Sequence, residues 1–208
     1  ELIVATSRPE LIPACVALAV NPNDTRYGAF VGAEAVVPIA SRRVRILTDE
    51  LVDSEFGSGV VMVCTFGDKT DVRWQHKYNL PVVRILDAQG RLTKEAGKYA
   101  GLTIPQARES IIKDLGEDSQ VGGSKPLSRE IGTCWRCHTP VEILSAPQWF
   151  MKTKDLTDEI INWTNRVRWV PDFSKIRMID WARSLDWDWV VSRQRSFGTP
   201  IPVWYCRK

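Results

Sequence analysis

Gly57-Ser58-Gly59-Val60-Val61-Met62-Val63-Cys64-Thr65-Phe66-Gly67-Asp68-Lys69-Thr70-Asp71 is the stretch from which the rest of the chain is read. A Gly-x-Gly turn feeds an apolar run of strand length. The run stops at a glycine followed by two carboxylates three residues apart, where a helical pattern starts and continues to Tyr78. Strand end, turn and helix start coincide, so polar groups are held rigidly there and the unpaired N–H groups of the helix face outward. Asp68 and Asp71 share one face of that helix near its positive end. Two roles are open to them: stabilising caps, or an anionic site for an ammonium group or a water.

Working outward, Glu1 to Thr6 reads as a strand, and Ser7-Arg8-Pro9-Glu10 breaks it, with Pro9 suited to the first turn of a short helix. Further strands are predicted at Val16–Val20, Ala35–Pro38, Val44–Thr48, Val60–Cys64 and Val82–Leu86. Their β-branched content and short connections point to an α+β domain with an antiparallel or barrel-like sheet, not repeated βαβ units. Thr103 to Gly116 is the clearest helix, with a capping residue, a proline in the first turn and a terminal glycine. The polar stretch Glu117 to Lys125 is the expected domain boundary. Beyond it lie a Cys-x-x-Cys pair, a strand at Gln148–Met151, and helices near Lys154–Asn165 and Asp172–Leu185.

The formal charge of +3 says little by itself. Its distribution says more: residues 1–119 sum to about −2 and residues 120–208 to about +5. Only Trp74 among the nine tryptophans precedes residue 120. A basic, aromatic-rich segment suits phosphate pairing and base stacking, and equally a packed core with a solvated basic face. No run of apolar residues is long enough to span a membrane. The chain begins inside an apparent strand and ends just after another, as expected of a segment of a longer protein.

Five cysteines at uneven spacing argue for a reducing, cytoplasmic setting over a disulfide framework. Cys15 reads as a small core residue. Cys134-Trp135-Arg136-Cys137 is a knuckle whose thiolates can converge on zinc. Cys206 is the candidate third ligand, with His138, Cys64 or a cysteine beyond residue 208 as the fourth. A redox or unligated pair is the alternative. No Ser-His-Asp or Cys-His set exists.

At these motifs the sequence resembles the editing domain inserted in class I aminoacyl-tRNA synthetases. Ala5-Thr6-Ser7-Arg8-Pro9-Glu10 is similar to that domain's threonine-rich Thr-Thr-Arg-Pro-Glu segment. Phe56-Gly57-Ser58-Gly59 with Gly67-Asp68-Lys69-Thr70-Asp71 is similar to its Phe-Gly-Thr-Gly and Asp-x-x-Asp motifs. Cys134–Cys137, Gln148-Trp149-Phe150, Ser192-Arg193-Gln194-Arg195 and Pro200 to Cys206 resemble the return to the aminoacylation core. The likeness is collinear over essentially the whole chain and is greatest to the archaeal type of valyl enzymes. Met62, Cys64 and Gly67 depart from it, standing where bacterial relatives have lysine, threonine and histidine.

The resemblance implies an editing domain over residues 1–120, barrel-like with flanking helices, and a Trp-rich zinc-knuckle segment over residues 121–208. It implies hydrolysis of the threonyl ester of mischarged tRNA(Val), with the 3′ acceptor end of that tRNA and the rest of a synthetase as partners. Asp71 would hold the α-ammonium, and Asp68 the side-chain hydroxyl or a water. Thr6, Ser7 and Arg8 would contact the terminal adenosine and its phosphate, with Glu10 nearby and Phe56 as a wall. ATP is expected only in a full-length enzyme, since no signature for amino-acid activation is present. The alternatives are a non-catalytic tRNA-docking fragment, or an isoleucyl or leucyl editing domain.

Overall fold

A computed structural model describes residues 1–128, 130–194 and 198–206. Arg195 of the Ser192–Arg195 motif lies outside them. The chain divides into two compact units, Glu1–Ser145 and Ala146–Lys208.

In the first unit the strands are β1 (Cys15–Val20), β2 (Glu34–Val37), β3 (Arg42–Thr48) and β4 (Val60–Cys64), in the sheet order β2-β3-β1-β4. β1 runs parallel to β3 and antiparallel to β4, while β2 is antiparallel to β3. The sheet is therefore mixed where an antiparallel or barrel-like one was expected: the β1–β3 pair is parallel, and β2 and β4 stand at the two ends of the strand order. The long β1–β3 connection is what permits a parallel pair. β1 is buried along its whole length, as its unbroken apolar sequence requires of a central strand covered on both faces.

Helix α1 (Lys69–Tyr78) presents Trp74 to one face of the sheet, against Val16, Ala17, Ala19, Val52 and Val63. Helix α2 (Ile104–Glu117) lies against Pro9–Ala14 and sends Ala107, Ile111 and Leu115 into the buried core that also holds Leu18, Val20 and Ile46. α2 opens with a reciprocal capping box between Thr103 and Gln106 and runs through Gly116 instead of stopping there.

Two predicted strands are extended but unladdered. Residues 1–6 pair with no strand; Leu2 and Val4 lie against the core while Ile3 is 71 % exposed. Residues 82–85 are held by side chains and turns: the Thr65 hydroxyl donates to the Val83 carbonyl and accepts its N–H, and Thr93 N–H donates to the Ile85 carbonyl. Leu86 makes only an isolated bridge to Leu92. Pro9–Ala14 forms the short helix expected after residue 8, in 3-10 geometry.

The second unit contains β5 (Phe150–Met151), paired antiparallel with β6 (Trp189–Val190). Helices α3 (Thr157–Arg166) and α4 (Ser174–Arg183) lie between them in sequence and begin two to three residues later than predicted. Trp181 and Trp189 meet edge to face at 5.9 Å. No helix among the described residues is long and apolar enough to cross a membrane.

Candidate active site

The end of β4 and the start of α1 are joined by carboxylate-to-backbone hydrogen bonds. Asp68 is the N-cap of α1, its Oδ1 accepting from Thr70 N–H at 2.7 Å and Asp71 N–H at 2.9 Å. Asp71, one turn on, reaches backward. Its Oδ1 accepts Cys64 N–H at 3.0 Å and its Oδ2 accepts Gly67 N–H at 2.8 Å. The two aspartates thus do different things: Asp68 is exposed and caps, while Asp71 is 6 % exposed and ties the helix to the strand end. Burial pushes the Asp71 carboxyl up to about 6; the Asp68 charge adds to the rise and the two backbone donors oppose it. A Cβ on Gly67 would stand 2.9 Å from Asp71 Oδ2 and 3.0 Å from Leu11 Cδ1, so this close seat fits glycine.

Residues 5–8 straddle both halves of the quoted stretch. A Cβ on Gly57, at φ +61°, would lie 2.6 Å from Ala5 Cβ, so the glycine-rich turn rests directly on the N-terminal segment. Three residues on, Arg8 Nη1 donates to the Gly67 carbonyl at 3.0 Å. Thr6 and Ser7, between these contacts, are exposed, and Thr6 Oγ1 accepts Arg8 N–H at 3.0 Å. Through Gly67 the structure thus joins Arg8 to the Asp68–Asp71 helix start, with Thr6 and Ser7 next to Arg8 in the chain. Phe56 directly precedes the Gly57 contact and is 61 % exposed.

Glu10 and Arg8 belong to an ion network that sequence inspection missed. Glu10 is buried at 1 % exposure and accepts from Arg108 of α2 at both oxygens, each at 3.0 Å, and from Arg8 Nε at 3.1 Å. Burial works to raise the Glu10 carboxyl, and the hydrogen bonds from Arg108 and Arg8 outweigh it, holding it below the usual range. Arg8 Nη2 meets Glu142 Oε2 at 2.5 Å. Burial works against the Arg8 charge too, and Glu142 and Glu10 more than compensate, raising its pKa. Two guanidiniums and two carboxylates thus cancel, which leaves Arg8 committed to protein partners. Glu10 is a buried counter-ion joining residues 8, 10 and 108, not a group open to a ligand. Arg108 and Glu142 carried no local signal, since they meet residues 98 and 134 positions away.

Cys134 and Cys137 lie on a tight turn closed by His138 N–H to the Cys134 carbonyl and Cys134 N–H to the Thr139 carbonyl, each at 2.8 Å. The Cys137 thiol is held below its ordinary pKa, first by Thr139 and then by the neighbouring Cys134. This turn fits one half of a tetrahedral thiolate site. Cys206 is exposed and belongs to the second unit. Among the described residues no three His, Cys, Asp or Glu side chains gather as metal ligands. Cys64, named as a fourth ligand, is buried beside Cys15 in the β1–β4 ladder, where hydrogen bonding to Cys15 and burial raise its pKa.

Residues 16–208 match the family of class I tRNA synthetases (I, L, M and V), and the chain belongs to that family. Within it, relatives about half identical to this chain are valine–tRNA ligases. That of Methanosarcina mazei is 50 % identical over 205 residues, 99 % of this chain and 23 % of the relative. That of Methanocaldococcus jannaschii is 48 % identical over 208 residues, 100 % of this chain and 24 % of the relative. That of Archaeoglobus fulgidus is 49 % identical over 207 residues, again 100 % and 24 %. The chain thus spans about a quarter of the length of these relatives. A solved structure described as the crystal structure of GlLeuRS-CP1 is similar at 14 % identity and a TM-score of 0.47, covering 60 % of this chain and 84 % of that one.

Proposed function

We propose that this chain is the post-transfer editing segment of a valine–tRNA ligase and hydrolyses the ester of threonyl-tRNA(Val). The observation that carries the reading is the junction itself: the segment 5–8, the Gly57 turn and the Asp68–Asp71 helix start meet in a chain about half identical to valine–tRNA ligases along its whole length. Valine and threonine are nearly isosteric, and the valyl enzymes are themselves the standard illustration that an apolar pocket cannot strongly reject an added hydroxyl. A second, hydrolytic site answers that limit.

An ester is already activated, so a positioned water beside polar groups suffices without a nucleophilic side chain. Each carboxylate oxygen of Asp71 has a second lone pair beyond the one given to the backbone. An α-ammonium drawn to that carboxylate would supply the counter-charge that burial denies it. Asp68, exposed at the positive end of α1, would orient the hydroxyl or the water. The 3′ acceptor end of tRNA(Val) and the remainder of the synthetase are the partners of this reading, the cytoplasm its setting, and ATP plays no part in the ester hydrolysis. Cys134 and Cys137 would hold a structural zinc together with ligands from elsewhere in the synthetase.

One observation favours a second reading, a non-catalytic tRNA-docking fragment: both Asp71 oxygens already serve backbone N–H groups. Deacylation of threonyl-, valyl- and isoleucyl-tRNA decides between them. The editing reading expects selective release of threonine by wild type and its loss in Asp71→Ala. Release no faster than in buffer alone refutes it.

A further inference from the structure

Glu142 has no part in the chemistry above, yet it ends the ion network nearest the junction. It follows directly on the knuckle turn, where Val141 N–H donates to the Gly132 carbonyl at 3.0 Å and Thr133 bridges Pro140. Its side chain is 17 % exposed and that of Arg8 16 %, so the pair is largely shielded from the screening that makes most surface pairs weak. The Arg8 guanidinium is a rigid planar fork. Glu10 holds its Nε edge, Glu142 holds Nη2, and the remaining Nη1 is thereby aimed at the Gly67 carbonyl. Gly67 is also the residue whose N–H holds Asp71 Oδ2. Glu10 cannot swing, because Arg108 grips both of its oxygens.

We infer that Glu142 is a positioning residue: by fixing Arg8 it holds the Gly67 carbonyl and, through the backbone of that one residue, the Gly67 N–H that meets Asp71, coupling the segment after the Cys134–Cys137 turn to the hydrolytic junction. The coupling rests on the editing reading only for its effect on rate; the mechanical link from Glu142 to Gly67 stands apart from it. Without Glu142, Arg8 keeps Glu10 but loses the partner that orients its far edge, and the Gly67 carbonyl loses a fixed donor.

The test uses the intact polypeptide carrying this sequence, with Glu142→Ala, Glu142→Asp, Arg8→Gln and the Arg8→Gln/Glu142→Ala double variant. Hydrogen exchange is followed on peptides spanning residues 64–71 and on β1, and threonine release is followed in single turnover. Glu142→Ala is expected to speed exchange in 64–71 by about tenfold, the scale of one charge-assisted hydrogen bond, and to leave β1 protected. Threonine release should slow by a similar factor at saturating enzyme, with half-saturation unchanged. Glu142→Asp should recover part of both effects, and Glu142→Ala should add nothing in the Arg8→Gln background. Unchanged exchange in 64–71 overturns the inference, as does an undiminished effect of Glu142→Ala on Arg8→Gln. Equal loosening of β1 overturns it too, since Glu142 would then only hold the unit together. If wild type releases no threonine, the editing reading fails and the exchange result alone decides the coupling.

Discussion

Asp71 carries the clearest quantitative consequence of this geometry. Burial moves its carboxyl from 3.8 to about 6, a difference worth about 3 kcal/mol at roughly 1.4 kcal/mol per pH unit. The folded state holds this proton more tightly than the unfolded chain does. The stabilising contribution is therefore fully present below about pH 4 and is lost as pH rises through about 6. Asp71→Asn removes the titration while keeping the shape, so the wild-type-minus-variant stability difference isolates this one group from every other carboxylate. Urea unfolding of both proteins at half-unit steps should show that difference falling by about 2.4 kcal/mol between pH 4 and pH 7. The Asp71 carboxyl carbon, followed by NMR, should titrate with a midpoint near 6. Threonine release should run the other way, dropping as pH falls below about 6, because an ammonium anchor needs the ionised form. A midpoint near the ordinary aspartate value, or a stability difference flat with pH, refutes the argument that burial dominates the two backbone donors.

Glu10→Ala leaves two guanidiniums without their shared counter-ion and should destabilise the first unit by about 3 kcal/mol in urea unfolding. That is the low end for a broken buried pair, because Arg108 is 44 % exposed and can rehydrate. Gly57→Ala places a Cβ on Ala5 at positive φ and should cost about 1–2 kcal/mol and slow threonine release, with Ala5→Gly restoring part of the loss. For the knuckle, Cys134→Ser should lower the zinc content measured by elemental analysis; unchanged stoichiometric metal would rule the turn out as a ligand source.

The contrast between Asp68 and Asp71 shows how far local spacing reaches. Both sit at first-turn positions, and either could have been the cap. Asp68 closes its hydrogen bonds within three residues, so its role follows from sequence separation alone. Asp71 satisfies donors from the preceding strand end and turn, which only the fold places behind it. The same division separates the elements. The Thr103 cap of α2 and the apolar run of β4 were readable because their defining contacts are local or periodic. Residues 1–6 and 82–86 carry strand composition as well, but a ladder forms only where the packed chain brings a strand edge alongside in register, and composition does not place one there.

What the sequence by itself determined, then, was where α1 and α2 start, the apolar run of β4 and, through collinear motifs, the family. Tertiary structure alone decided the mixed sheet order, the burial that lifts Asp71, and the ion network from Arg108 through Glu10 and Arg8 to Glu142. Hydrogen bonds closed within one turn follow from spacing. Burial and long-range ion pairing follow from which surfaces the packed chain removes from water together.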